Sequence, residues 1–373
     1  MSLFTSFSPA SLVALNVLFF YGLTFLTYFI IHALPVSALR SCILLSICAS
    51  YLVTTPFILP HPGQYARLFM TTIAWVFALR TWEILNNAAL ESSIKGNVRH
   101  FCGYLHAFVD RKNPHLRDPG ERRERFLRRT GRGILKLVGF HFASCTVPFL
   151  NGSEAAEFWA GTTYLSPSRY IATVLAGLIM YLWMGGIADV LFSIIEFLLR
   201  VRTRDMFERP YAATSLRAFW RWRWNGPFQE CLARAIIGGG PNERVRYNEK
   251  EKVDEERNDA KPPSMSATML AAFNIFLLSG VFHEHVNFVA FKEVSAQNCM
   301  FFLIQFVGLA MELQWSRTKM YKSLPNPLRW CAVLLFAALS GSLFVAPYMH
   351  NGGLKAFPFP DFGCVSWWPQ IHL

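Results

Sequence analysis

Charge is scarce in this sequence. Only 16% of its 373 residues are Asp, Glu, Lys or Arg, where a soluble domain carries about a quarter. With 53% hydrophobic residues beside it, that scarcity argues against a water-soluble globule. Apolar-polar alternation is missing from the apolar runs, which disfavours a transmembrane barrel. No CxxC pair occurs among Cys42, Cys48, Cys102, Cys145, Cys231, Cys299, Cys331 and Cys364. Most of these lie in apolar runs and read as small buried hydrophobes. No internal repeat is visible, which weakens the case for an inverted-repeat transporter. The first apolar run lacks a basic stretch before it, so it reads as a retained helix rather than a cleaved signal.

What is present is a series of continuous apolar runs of about 20 residues, the length an α-helix needs to cross a bilayer. Phe alone occurs 34 times. The expected fold class is all-α, a polytopic membrane protein with about eight spanning helices at 10–33, 36–59, 65–85, 134–150, 168–199, 264–292, 298–316 and 328–349. The fourth is short. The fifth is long enough to tilt or break, with Gly185-Gly186 as the weak point. The chain reads as one membrane-embedded domain over 1–373. Residues 1–85 hold three spans, and 86–133 form a basic loop with short surface helices. Residues 134–240 hold further helices, 241–262 form a mobile charged loop, and 263–373 hold the remaining spans.

The net charge is +12, and it is unevenly placed. The segments 86–133 and 200–262 hold eleven and fourteen Lys/Arg, and 317–329 adds four. Residues 1–9, 60–66 and 151–167 hold none. With eight spans every basic loop falls on one side, which the positive-inside rule makes cytosolic, with both termini opposite. The sequon Asn151-Gly152-Ser153 then lies on the luminal side. Loop placement excludes nucleic acid as the partner. Membrane lipid or a phosphate-bearing cosubstrate is the better counterpart.

His283, Glu284 and His285 sit inside the otherwise apolar run 264–291. Ionisable groups at that depth are costly and face a bundle interior or a wet cavity. Imidazole is also the side chain suited to taking and returning a proton near neutral pH. Ser279-Gly280, one turn earlier, permits close helix approach or a ligand path. A hydrogen-bonded core histidine remains the alternative. A metal site is not expected, because residues i and i+2 point to different faces of a helix.

The second feature is the run from Thr214 to Asn225, with Trp220, Trp222 and Trp224 interleaved with Arg217, Arg221 and Arg223. Thr214 or Ser215 can cap its helix, and Gly226-Pro227 interrupts it. Such a run suits the bilayer interface, indoles at headgroup level and guanidiniums toward phosphate. It reads as an anchor or as a rim that binds an anionic cosubstrate and delivers Asn225 inward.

Together, SxRxFWxxRWN over Ser215 to Asn225 and the run Ser279-Gly280-Val281-Phe282-His283-Glu284 resemble the membrane-bound O-acyltransferase superfamily. Phe207-Glu208-Arg209-Pro210 also fits its wax synthase-like branch, which includes small fungal acetyltransferases of terpenoid and meroterpenoid biosynthesis. The likeness is close over roughly 200–350. It implies a helical bundle with a central tunnel, residence in the endoplasmic reticulum, and acyl transfer from coenzyme A to a hydroxyl. It implies His283 as the catalytic histidine and Asn225 as the second signature residue. Trp220, Arg221, Arg223, Trp224, Ser279 and Glu284 are then expected to bind substrate or coenzyme A. No resident cofactor or metal is expected. The cosubstrate would be acetyl-CoA and the acceptor a lipophilic secondary metabolite. Wax ester synthesis from long-chain donors is the nearest alternative, and a proton-coupled transporter the alternative from another class.

Overall fold

The computed structural model describes residues 9–58, 64–94, 98, 101, 104, 116–146, 152–163, 166–237 and 265–351. The mobile loop expected at 241–262, the sequon asparagine and the chain after 351 lie outside them. The described residues are helical between turns and contain no β-strand. In chain order the helices are α1 (Pro9–Ala33), α2 (Ala38–Ile58), α3 (Gln64–Leu85), α4 (Ala88–Ile94), α5 (Pro119–Thr146), α6 (Gly152–Gly161) and α7 (Pro167–Leu199). There follow α8 (Gly226–Ile237), α9 (Met265–Phe291), α10 (Gln297–Trp315), α11 (Lys319–Ser323) and α12 (Asn326–His350).

Each expected span overlaps a helix; among the described residues, α7, α9 and α12 are long and apolar enough to cross a membrane by length and composition. Shorter apolar helical stretches cover Leu18–Ala33 and Ala38–Val53. Of the rest, α3 carries Arg67, Arg80 and Glu83, and α10 carries Gln305 and Glu312. The expected span at 134–150 is the second half of α5, which begins inside the stretch expected to be loop. Helix α7 runs unbroken through Gly185-Gly186. These glycines admit α5 rather than weaken α7. A Cβ on Gly186 would lie 2.8 Å from Leu137, and one on Gly133 would lie 2.9 Å from the Gly186 carbonyl oxygen.

One reason α5 continues as a helix through its basic half is visible across this contact. Arg125, Arg129, Arg132 and Lys136 recur near helical spacing and meet two acids on α7. Asp189 accepts from Arg132 at 2.6 Å and Lys136 at 2.8 Å. Glu196 accepts from Arg125 and Arg129, each at 2.8 Å.

The apolar cores divide the molecule. Helices α1 to α4 close around Phe20, Leu44, Tyr51, Phe77 and Ile84. Helices α5, α6, α7 and α12 share Phe140, Trp159, Ala176 and Val345. Helix α9 lies between them. On one side it meets α3 and α8 through Leu79, Phe228, Phe282 and Val286. On the other it meets α10 and Trp220 through Phe276, Phe301 and Phe302. That central position places His283 against α10 and α12.

Candidate active site

The tryptophan-arginine segment opens with Ser215, whose hydroxyl accepts from the Ala218 N–H at 3.0 Å. The Glu312 carboxylate of α10 takes the Leu216 and Arg217 N–H groups, both at 2.9 Å. A carboxylate at a helix start satisfies orphan donors and complements the positive dipole end. Residues Phe219–Arg223 then form a π-helical turn, a geometry that recurs at functional sites. The extra residue in that turn swings Asn225 out of register. Asn225 adopts a left-handed backbone with φ 46°, tolerated by Asn better than by bulkier side chains. Its carbonyl accepts from Phe228 and Gln229 and so begins α8.

Within this segment, most side chains have structural partners. Trp220 is buried, donates to the Gln305 carbonyl oxygen at 3.0 Å and packs edge-on against Phe276. Trp224 stacks on Phe219 with rings 5.6 Å apart. Arg223 donates to the Glu208 and Arg209 carbonyls. Arg221 lies over the Trp222 ring. The contacts of Trp220, Trp224 and Arg223 hold the segment's shape.

His283 sits in an aromatic box. Phe302 stacks nearly parallel to it at 5.1 Å, while Phe282 and Phe344 stand edge-on at 4.6 and 4.9 Å. The imidazole is partly buried, and its Nδ1 is buried without a hydrogen-bond partner among the described residues. Phe302 also faces Trp220 at 5.8 Å, and Phe282 faces Phe228 of α8 at 4.8 Å. The two signature runs therefore meet through the Phe302 ring, and α8, which follows the first run, meets the second through Phe282. His285 turns to the other face, where its Nδ1 accepts from Trp75 of α3 at 2.9 Å.

Several buried polar atoms nearby also have no hydrogen-bond partner among the described residues. Ser279, His283 and Asn287 follow one another at four-residue spacing along one face of α9. The Ser279 hydroxyl and both amide atoms of Asn287 have no hydrogen-bond partner, and each residue is 1% exposed. Asn298, wholly buried at the start of α10, leaves both its amide atoms unpartnered. Its backbone N–H is held by Glu284 at 2.8 Å. Glu284 therefore caps α10 with one oxygen, and its other oxygen is buried and unpaired. Gly280 lets α10 in: a Cβ there would lie 2.9 Å from the Cys299 Cα. Asn225 adds one more unpartnered buried oxygen, Oδ1. Buried polar groups are normally satisfied, so such a group marks a place where a partner is absent.

Residues 203–304 match the membrane bound O-acyl transferase family. The O-acyl transferase match thus holds both signature runs, Asn225 and His283 with them. Three Arabidopsis thaliana proteins with provisional names as long-chain-alcohol O-fatty-acyltransferases are similar over part of the chain. Number 10 is 27% identical over 177 residues, 47% of this chain and 48% of that protein. Number 1 is 24% identical over 185 residues, covering 49% and 50%. Number 9 is 28% identical over 153 residues, covering 41% and 38%. The chain spans about half the length of the curated relatives it matches, or less.

Sequence reasoning missed Asn287, although it lies one helical turn beyond His283. It also missed Asn298 and Glu312, which no local pattern marks, because α10 brings them in from another helix. The expected central tunnel is not outlined by the described residues. Two cavities stand out among them. One, of about 380 Å³, is an apolar groove between α1 and α2. The other, of about 330 Å³, is a cleft rich in arginine. Neither is lined by His283 or Asn225.

Proposed function

We propose that this chain transfers an acyl group from a coenzyme A thioester to the hydroxyl of a lipophilic alcohol, within a membrane, with His283 as general base. The observation that carries the reading is the row of unpartnered buried polar atoms beside His283. A purely structural core would leave such groups paired or replace them with apolar ones. Substrate hydroxyl and thioester groups are suited to fill those valences.

An alcohol is a weak nucleophile until a base takes its proton during attack. His283 takes that proton as the oxygen adds to the thioester carbonyl. Asn225 stabilises the resulting oxyanion through its amide N–H, or positions the thioester. The tetrahedral intermediate then collapses, the C–S bond breaks, and His283 returns the proton to the departing thiolate. No acyl-enzyme is required. Asn287 and Asn298 orient the alcohol, and the aromatic box keeps water from the thioester. The basic segments face the cytosol, where coenzyme A is found, and the endoplasmic reticulum is the expected membrane.

The relatives' names favour a fatty acyl donor and a long-chain alcohol. Acetyl transfer to a terpenoid, the preference drawn from sequence, has no counterpart among those relatives' names. Microsomes holding the chain would be given labelled palmitoyl-CoA or acetyl-CoA with fatty and terpenoid alcohols. We expect labelled wax ester from the wild type and none from His283→Ala at equal expression. Equal product from both proteins would overturn the assignment.

A further inference from the structure

The arginine-rich cleft lies apart from His283 and is lined by Arg125, Arg128, Arg129, Arg132, Arg202 and Arg204, with Trp222 on its wall. We propose that it binds the phosphorylated adenine-nucleotide end of the thioester donor. This inference rests on the acyl-CoA reading and adds to it the place where the donor is held.

Three observations combine. First, the guanidiniums are fixed in advance. Asp189 and Glu196, which pair with those of α5, are 3% and 2% exposed and are not part of the cleft lining. These acids fix Arg125, Arg129 and Arg132 from behind, Glu121 and Glu230 pair with Arg202 and Arg204, and the side chains of Arg132 and Arg204 remain 43% and 41% exposed. Planar guanidiniums bind phosphate bidentately, and fixing them beforehand reduces the entropy lost on binding. Second, Arg128 is exposed and has no ion pair or hydrogen bond among the described residues. Asp205 and Glu208 also line the cleft, but Asp205 is engaged by Arg129 and Arg132. Burial alone would raise the Asp205 pKa; the Arg132 hydrogen bond and the Arg129 and Lys136 charges outweigh it and hold the carboxyl below its usual range. It therefore stays with its arginines. Third, Trp222 is 38% exposed, a flat ring on which a purine can stack.

The position suits a donor that must reach Asn225. Trp222 is in the π-helical turn, which ends at Arg223, two residues before Asn225. The segment bearing Arg202 and Arg204 is tied to that turn by Glu208 N–H to Arg223 carbonyl at 3.0 Å and Gly226 N–H to Met206 carbonyl at 3.2 Å. A nucleotide held here would leave its thioester arm free to run along the turn toward Asn225 and His283.

The test is binding of coenzyme A, 3′-dephospho-coenzyme A and 3′,5′-ADP to the full chain purified in detergent, compared with Arg128→Gln, Arg128→Lys and Trp222→Leu. Native mass spectrometry of the same samples reads retained phosphatidic acid. We expect the wild type to prefer coenzyme A over its dephospho form. Arg128→Gln should weaken coenzyme A binding by about tenfold and erase that preference, with partial retention in Arg128→Lys. Trp222→Leu should weaken all three ligands together by a similar factor. Equal coenzyme A affinity in every variant overturns the cleft assignment and leaves the acyl-CoA reading standing. No coenzyme A binding by the folded wild type overturns both. Loss of phosphatidic acid in Arg128→Gln with unchanged coenzyme A binding would make the cleft a lipid headgroup site and overturn the nucleotide.

Discussion

Two regions bury polar groups in apolar surroundings, and they treat them in opposite ways. Between α5 and α7, every oxygen of Asp189 and Glu196 has a use. Arg125, Arg129, Arg132, Lys136 and Thr203 all donate to them. Between α9 and α10, polar atoms of Ser279, His283, Asn287 and Asn298 have no partner among the described residues. The first region is organised as structure, and the second is the site we propose. Satisfied buried charges hold two helices in one register, whereas unsatisfied neutral groups leave valences that a bound molecule could fill.

The largest effect expected is at the site. His283→Ala should lower ester formation by about a thousandfold, within the range for a lost general base, while the purified protein keeps its melting temperature. Radiolabelled product in microsomes and thermal unfolding in detergent read the two quantities. A large fall in stability instead would make His283 structural and collapse the contrast.

The other region should fail in the reverse manner. Asp189→Ala leaves Arg132 and Lys136 without their shared carboxylate, and breaking a buried pair costs about 3–5 kcal/mol. Aggregation on size-exclusion chromatography, or a collapse of the detergent melting temperature, is expected. A normally stable protein would show that the α5–α7 acids do not fix the helix pair.

Asn287→Leu sharpens the comparison most directly. Removing an amide that nothing satisfies relieves a desolvation cost, so stability should hold or rise while activity falls about tenfold or more. Loss of stability without loss of turnover would place Asn287 with the structural group. A smaller effect is expected at Gly280→Ala, where the Cβ would crowd the Cys299 Cα at 2.9 Å. Overpacking of this kind costs about 1–3 kcal/mol, and the melting temperature should drop with a partial loss of activity.

The smallest effect concerns Asp205. Its folded pKa is held below the ordinary 3.8, so its contribution to stability is present above that value and is lost only as pH falls through the lower folded value. The melting difference between wild type and Asp205→Asn should stay constant from about pH 7 to pH 5 and shrink below about pH 4. A difference that disappears by pH 6 would mean the carboxyl is not held by its arginines.

The helical character, the positions of the long apolar helices, His283 and the motif ending in Asn225 were legible in the chain. Each depends on local order: a run of apolar residues, a spacing of four, a capping serine beside its helix. Ser215 does cap, as its position implied. Other features lacked a local signal. The arginines of 119–133 look like a solvated loop until Asp189 and Glu196 arrive from about 60 to 70 residues away. Trp220 looks like an interfacial anchor until Gln305 of α10 takes its indole N–H.

By itself the sequence determined that the chain is helical and where its most apolar helices lie, because both properties are sums over neighbouring residues. Only the tertiary structure decided which polar groups are satisfied and which stay open. A hydrogen bond depends on a partner's distance and direction, and here the partners belong to helices remote in the chain.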